Sequence, residues 1–201
     1  MENQEFLKEY HKKRDFDISS EPFGETNVKK KKEIFVIQKH KASHLHYDFR
    51  LAVDGVLKSW AIPKGPSTDP DEKRLAIPTE DHPMEYADFE GVIPKDQYGG
   101  GTVMLWDAGT YENTKKDEEG NLIPLANQLE HGHLKFSLNG KKLKGGYSLI
   151  RFEKGKDEKW FLKKEKDEEA DARRNPTSTE NKSVLTGRTM NQIKKDSEKV
   201  D

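Results

Sequence analysis

Ile34-Phe35-Val36-Ile37-Gln38-Lys39-His40, then His44-Leu45-His46-Tyr47-Asp48-Phe49-Arg50-Leu51-Ala52-Val53, then Asp54-Gly55, then Val56-Leu57-Lys58-Ser59-Trp60-Ala61-Ile62: this stretch decides the fold. Each run alternates with a period of two, so each is a strand. Asp54-Gly55 between apolar runs signals a tight hairpin, and Lys41-Ala42-Ser43 makes a short connection. Alternation also sorts the chemistry. His44, His46, Asp48 and Arg50 share one face, and Leu45, Tyr47, Phe49 and Leu51 share the other. In the first strand Ile34, Val36, Gln38 and His40 lie together. Two imidazoles and a carboxylate suit a divalent metal, and an arginine beside them suits a bidentate anion. The pairing suggests a phosphate.

Short strands continue outward from this core. Pro63-Lys64-Gly65-Pro66 opens a loop, and Arg74 to Glu80 reads as a strand with Arg74, Ala76, Pro78 and Glu80 on one face and Pro78 at an edge or bulge. Asp81-His82-Pro83 reads as a helix start that sets His82 and Tyr86 one turn apart. Gly91 to Gly101 reads as a loop; its Gly99-Gly100-Gly101 lacks the Lys-Ser/Thr of a nucleotide-binding P-loop. Thr102–Trp106 and Thr110–Glu112 read as strands about an Asp107-Ala108-Gly109 turn. Leu125–Glu130 fits one or two helical turns. Leu134–Leu138, a turn at Asn139-Gly140, Tyr147–Phe152 and Lys159–Lys163 complete the series. The expectation is a mainly β protein, a small antiparallel barrel of about eight short strands with one or two short helices and polar tails.

Composition fits a compact core with polar ends. Of the 201 residues, 31% are hydrophobic and 36% charged, against roughly 45–50% apolar in ordinary globular chains. The organisation expected is a polar N-terminal arm over 1–32 that contributes to the site, a barrel over 33–165, and a charged, disordered tail over 166–201. Within the arm, Lys29-Lys30-Lys31-Lys32 reads as a solvated run or a phosphate-tracking patch. The net charge of −1 excludes a globally basic nucleic-acid binder. The absence of cysteine removes disulfides, thiolate metal sites and a cysteine nucleophile. No signal-peptide or membrane-spanning run is evident, so a soluble, cytoplasmic protein is expected.

Two chemistries compete for the histidine-aspartate face. His40, His46 and Asp48 fit a catalytic metal, and a His-x-Asp pair with a distant histidine also fits the facial triad of a non-haem iron oxygenase. An oxygenase needs one anion-binding arginine, whereas phosphoryl chemistry recruits several cations. Arg14, Arg50, Lys64 and Arg74 favour phosphate. A third possibility is a nonenzymatic DNA end-binding module.

Gln38 to His40, Leu45 to Arg50, Asp54 to Ala61 and Pro63 to Pro66 closely resemble the 3'-phosphoesterase domain of bacterial DNA ligase D. The likeness continues through Glu80-Asp81-His82-Pro83, Tyr86 to Gly91, Gly101-Thr102-Val103, Arg14-Asp15-Phe16 and Ser183 to Met190. The resemblance implies a compact β-barrel hydrolase, a metal-dependent 3'-phosphodiesterase and 3'-phosphomonoesterase. Such an enzyme removes a 3'-terminal ribonucleoside and then the 3'-phosphate, leaving a hydroxyl for repair synthesis or ligation. It implies manganese, with zinc or another transition metal as alternatives, on His40, His46 and Asp48. Arg50, His82 and Tyr86 are implied as phosphate-binding or catalytic partners, supported by Arg14, Asp15, Glu21, Gln38, Lys64, Arg74 and Glu80. Phosphate binding falls to Arg50, Lys64, Arg74 and His82. Glu80 is a candidate to orient a ligand imidazole, and His82 to contact the phosphate or protonate the leaving oxygen. The implied partners are DNA or primer-template 3' ends carrying a 3'-phosphate or ribonucleotide. Ligase D joins this domain to polymerase and ligase modules that these residues do not include. A stand-alone domain working with a separate ligase, polymerase or end-binding protein is therefore expected.

Overall fold

The computed structural model describes residues 5–24 and 33–199; the Lys29–Lys32 run lies outside the described residues. Ten strands form one antiparallel sheet: β1 (Ile34–Lys41), β2 (Leu45–Val53), β3 (Val56–Ile62), β4 (Lys73–Pro78), β5 (His82–Pro83), β6 (Gly91–Ile93), β7 (Gly101–Asn113), β8 (His133–Gly140), β9 (Lys144–Glu153) and β10 (Lys159–Lys164). The order β1-β2-β3-β4-β10-β9-β8-β7 closes on itself where β7 pairs β1, giving an eight-stranded barrel. β5 adds to β3 and β6 to β7. The helices are short: α1 (Lys8–Lys12), a 3-10 turn (Met84–Asp88), α2 (Leu125–His131), α3 (Pro176–Thr179) and α4 (Met190–Ser197). None of the described helices is long and apolar enough to cross a membrane.

The Asp54-Gly55 turn forms as read. Both residues have positive φ, 51° and 83°, and Val53 pairs with Val56, the backbone a two-residue hairpin with native twist requires. Inward side chains fill the barrel. Phe35, Ile37, Tyr47, Phe49, Leu51, Trp60, Trp106, Phe136, Tyr147 and Trp160 are all buried in one core. A second cluster lies outside the sheet, where Leu7, Tyr10 and Tyr86 cover Val36, Leu57 and Leu105. The N-terminal arm is thereby fastened to the exterior of β1 and β3.

Gly91–Ile93, read as the start of a loop, is instead β6, paired with β7, and three further local readings change. The expected Asp107-Ala108-Gly109 turn is instead the interior of one continuous strand, β7. Trp106 is an extra residue in its pairing with β1, since Ile37 faces Asp107 and Gln38 faces Leu105. The Asp107 carboxylate accepts backbone N–H groups from Lys141, Lys142 and Leu143, each at 2.9 Å. A Cβ on Gly109 would come 2.1 Å from the Asn139 carbonyl. Turn residues here serve a neighbouring strand. Asp107 also shifts the next turn, because β8 runs through Asn139-Gly140 and the chain reverses at Lys141-Lys142, with Gly140 N–H bonded to Leu143. Third, His82-Pro83 is a strand segment paired with Leu57 and Val56, and Pro83 sits extended ahead of the 3-10 turn.

The segment after β10 is not the disordered tail that its composition suggests. Among the described residues, Trp106 donates to the Glu180 carbonyl at 2.6 Å and Tyr47 to that of Thr177 at 3.1 Å. Ile193 of α4 is 2% exposed and belongs to the barrel core. Thr189 and Gln192 form a reciprocal capping box at the start of α4. A few apolar anchors and many backbone carbonyls hold a segment that is otherwise charged.

Candidate active site

Because aromatic side chains fill the barrel, the polar residues of β1 and β2 face outward. His40 pairs directly with His46, and Gln38 with Asp48, which brings two strands' polar residues onto one exterior patch. A cavity of about 250 Å³ opens there, lined by Arg14, Glu21, His40, His46, Asp48, Arg50, Thr79, Glu80, His82, Tyr86 and Tyr98. It draws on the arm, β1, β2 and the segment after β4.

His40, His46 and Asp48 present one ligand atom each, all within 4.8 Å of one another. His40 Nδ1 is 3.5 Å from Asp48 Oδ2, and His46 Nε2 is 3.6 Å from Asp48 Oδ1. The remaining ring nitrogens are engaged: His40 Nε2 donates to the Gly99 carbonyl at 2.8 Å, and His46 Nδ1 to the His44 carbonyl at 3.0 Å. These bonds fix the tautomers so that Nδ1 of one ring and Nε2 of the other offer lone pairs toward Asp48. The donor set fits a divalent transition metal. Backbone carbonyls, rather than Glu80, orient the imidazoles. His44 contributes its carbonyl, and its side chain is exposed. Burial alone would raise the Asp48 carboxyl, but the opposing influences, the Arg50 guanidinium foremost, hold it below its usual value.

Arg50 is buried and its three nitrogens are all occupied. Nε donates to Gln38 Oε1 at 2.7 Å, Nη1 to Ser59 Oγ at 2.9 Å and Nη2 to Asp48 Oδ2 at 3.2 Å. Gln38 in turn donates to the Tyr86 and Phe89 carbonyls. The two-pronged fork open to solvent that the sequence suggests is not what is found; Arg50 is the hub of a network. Arg14 is its counterpart. It donates to Glu21 Oε1 and Glu80 Oε1, each at 2.9 Å, and its guanidinium lies 3.8 Å from the Tyr10 ring centroid.

His82 bridges the two guanidiniums. Nδ1 donates to the Glu80 carbonyl at 2.8 Å and lies 3.0 Å from Arg50 Nη1, while Nε2 accepts from Arg14 Nη2 at 3.1 Å. Burial, then Arg50 and Arg14, hold its pKa well below the usual imidazole value. It is neutral at physiological pH. Tyr86 packs edge-on against it, ring centroids 4.7 Å apart, and donates its hydroxyl to Glu21 Oε1 at 2.9 Å. Burial first, then Glu21, raises the phenol's pKa well above normal.

Three expected residues lie elsewhere. Asp15 is exposed and accepts from the Asp17 N–H within a local turn. Arg74 faces the barrel side of β4 with Ala76, opposite to the site, and bonds Glu72 at 2.5 Å. Lys64 is exposed on the loop after β3, close enough to act on Glu72. Tyr10, Lys13, Ser59, Gly99 and Tyr98 were missed by the sequence reading. Lys13 reaches Glu80 Oε2 at 3.1 Å. Ser59 shares the alternation that points Arg50, its register partner, to the outer face of the sheet, and that pattern could have identified it.

A His-His-Asp cluster with the spacing of metal ligands, beside a pocket of two arginines on the outside of a closed antiparallel barrel, is the arrangement of a phosphoesterase-like domain. The chain belongs to the DNA Ligase D 3'-phosphoesterase domain family, whose pattern matches residues 38–151. It is 51% identical over 167 residues to the multifunctional non-homologous end joining protein LigD of Pseudomonas aeruginosa, a match covering 82% of this chain and 19% of that protein. The corresponding protein of Mycobacterium tuberculosis is 40% identical over 166 residues, covering 81% and 20%. That of Mycolicibacterium smegmatis is 42% identical over 163 residues, covering 81% and 21%. The chain thus spans about a fifth of the length of the curated relatives it matches.

Proposed function

We propose that this chain is a metal-dependent 3'-end-healing phosphoesterase acting on DNA or primer-template ends in non-homologous end joining. In the full reaction one water hydrolyses the diester that carries a terminal ribonucleoside, releasing the nucleoside and leaving a 3'-phosphate. A second water hydrolyses that phosphate, giving inorganic phosphate and a 3'-hydroxyl. The observation that carries this reading is that Asp48 is shared between two half-sites, facing both histidines and bonded to Arg50.

His40, His46 and Asp48 would hold the metal, manganese by the family resemblance, which supplies Lewis-acid polarisation of a phosphoryl oxygen and a more acidic bound water. Arg50 and Arg14 then meet the phosphate from the other side, each through the second N–H of Nη2, which lies beside Asp48 in Arg50 and beside His82 in Arg14. Gln38 and Ser59 fix the plane of Arg50, and Glu21 and Glu80 fix that of Arg14. His82 contributes as a neutral hydrogen-bonding group between two cations and is ill-suited to serve as an acid. An oxygenase needs only one cation for a cosubstrate carboxylate, and the paired arginines favour the phosphoryl reading.

The test is incubation of a primer-template bearing a 3'-phosphate or a terminal ribonucleotide with manganese, magnesium, zinc or chelator. Metal-dependent phosphate release from the wild type, abolished in His46→Ala together with manganese binding, is expected. Binding without product would leave an end-binding module. Oxygen uptake with iron and an oxo-acid, without phosphate release, would leave the oxygenase.

A further inference from the structure

The sheet face that carries the metal triad does not end at the pocket. Asp48 lies opposite Ala61 on β3, and Ala61 opposite Ile77 on β4. On β4, Leu75 and Ile77 share this exterior face, while Ala76 between them belongs to the barrel core. Leu75 in turn faces Phe161 of β10, which faces Ile150 of β9. Leu75, Ile77 and Phe152 are 36%, 40% and 47% exposed. The Phe152 and Phe161 rings stack with centroids 4.0 Å apart and planes within 14°. This leaves a flat aromatic platform on the surface of a chain with little apolar residue to spare.

Lysines flank the platform in an arrangement that a free surface does not favour. Lys73 and Lys163 stand directly opposite each other in the β4–β10 register, and like charges in that position cost stability. Lys159 nearby is paired with Glu153 at 2.7 Å, whereas neither Lys73 nor Lys163 has a carboxylate within 4.0 Å among the described residues. Lys73 lies 5.8 Å from the Phe161 ring centroid. An anionic partner with flat apolar faces satisfies both features, and a protein surface satisfies only the apolar one.

We propose that the exterior of β4, β10 and β9 is a track for the unpaired strand leading to the reacting 3' end, with bases stacked on Phe152 and Phe161 and phosphates against Lys73 and Lys163. This rests on the phosphoesterase reading, which puts the 3' end at the triad. At ~4.8 Å per strand, Phe161 lies ~14 Å and Phe152 ~19 Å along the sheet from Asp48. That span accommodates about four to six nucleotides at ~3.4 Å each.

The experiment compares 3'-phosphorylated single strands of about two and about twelve nucleotides, lengths that fall short of and exceed that span. Phe161→Ala and the more exposed Phe152→Ala should each raise KM at least about fivefold on the long strand, as lost base stacking would. On the short strand kcat/KM should stay within about twofold of wild type. The Lys73→Glu/Lys163→Glu variant should flatten the dependence of long-strand affinity on salt by a slope of about one to two. Unchanged KM on the long strand, or equal changes on both, overturns the track. A concentration-dependent dimer abolished by Phe161→Ala, without length dependence, overturns it in favour of self-association. If the wild type releases no phosphate from either strand or from the primer-template, the phosphoesterase reading fails by itself. The track is then decided by anisotropy of a labelled strand, where equal affinity of wild type and Phe161→Ala overturns it.

Discussion

Arg50 shows how much one buried side chain can be asked to do. It binds Gln38, Ser59 and Asp48 through three different nitrogens, so Arg50→Lys replaces a planar hub with a point charge. A fall in kcat/KM of at least about a hundredfold is expected, with the thermal midpoint reduced as well, because buried acceptors lose their donor at about 1–3 kcal/mol each. Near-normal turnover would sink this view of the site. Glu80 offers a separate handle. Burial alone would raise its carboxyl, but the bonds from Arg14 and Lys13 outweigh burial and hold it below the usual value. A carboxylate favoured in this way adds stability above its unfolded pKa, near ~4.3, and the contribution disappears as pH falls through the lower folded value. The gap in thermal midpoint between wild type and Glu80→Gln should therefore be widest near neutral pH and close in acid; a gap that persists in acid would mean that packing sets it.

At the scale of elements, β7 depends on residues whose usual meaning is a turn. Asp107→Ala would strip three backbone N–H groups of their acceptor, at a cost of at least about 2 kcal/mol. Gly109→Ala would drive a methyl group into the Asn139 carbonyl and break the β7–β8 register. Thermal or urea unfolding of both variants checks this, and wild-type stability in Gly109→Ala would show that the strands can separate there. The same elements mark where sequence reading ends. Alternation between Ile34 and Ile62 gives three strands, their hairpin, the core face and the outer face with its His-His-Asp cluster, because each depends on spacing within one segment. Asp107 and Gly109 answer to residues thirty positions away, so local turn chemistry misassigns them. The arginines divide for the same reason: Arg14 reaches the site through tertiary packing of the arm, whereas Arg74 falls on the inner face once β4 is paired with β10. The C-terminal segment hides behind its charge, since a single residue such as Ile193 docks α4. Ile193→Ala should cost about 2–4 kcal/mol.

For the molecule as a whole, the candidate site and the barrel core lie on opposite faces of one sheet. The arm adds half of the anion pocket from outside, and deleting it through residue 24 removes Arg14 and Glu21 but leaves the interior packing untouched. Such a protein should keep a folded barrel and bind manganese, yet lose at least about a hundredfold in turnover; Arg14→Gln should reproduce the loss with the arm in place. Loss of metal binding in either variant would mean that the triad is not independent of the arm.

Along β2 the side chains alternate between the two worlds, His46, Asp48 and Arg50 outward and Tyr47, Phe49 and Leu51 inward. A slip of one residue would send the aromatics to solvent and the ionisable groups into the packed interior. If His40, His46 and Asp48 hold a metal as proposed, a misregistered barrel would lose the site, and a molecule that binds the metal would have its core assembled. Metal stoichiometry in a preparation should consequently count natively folded molecules, an assay of folding quality written into the strand itself.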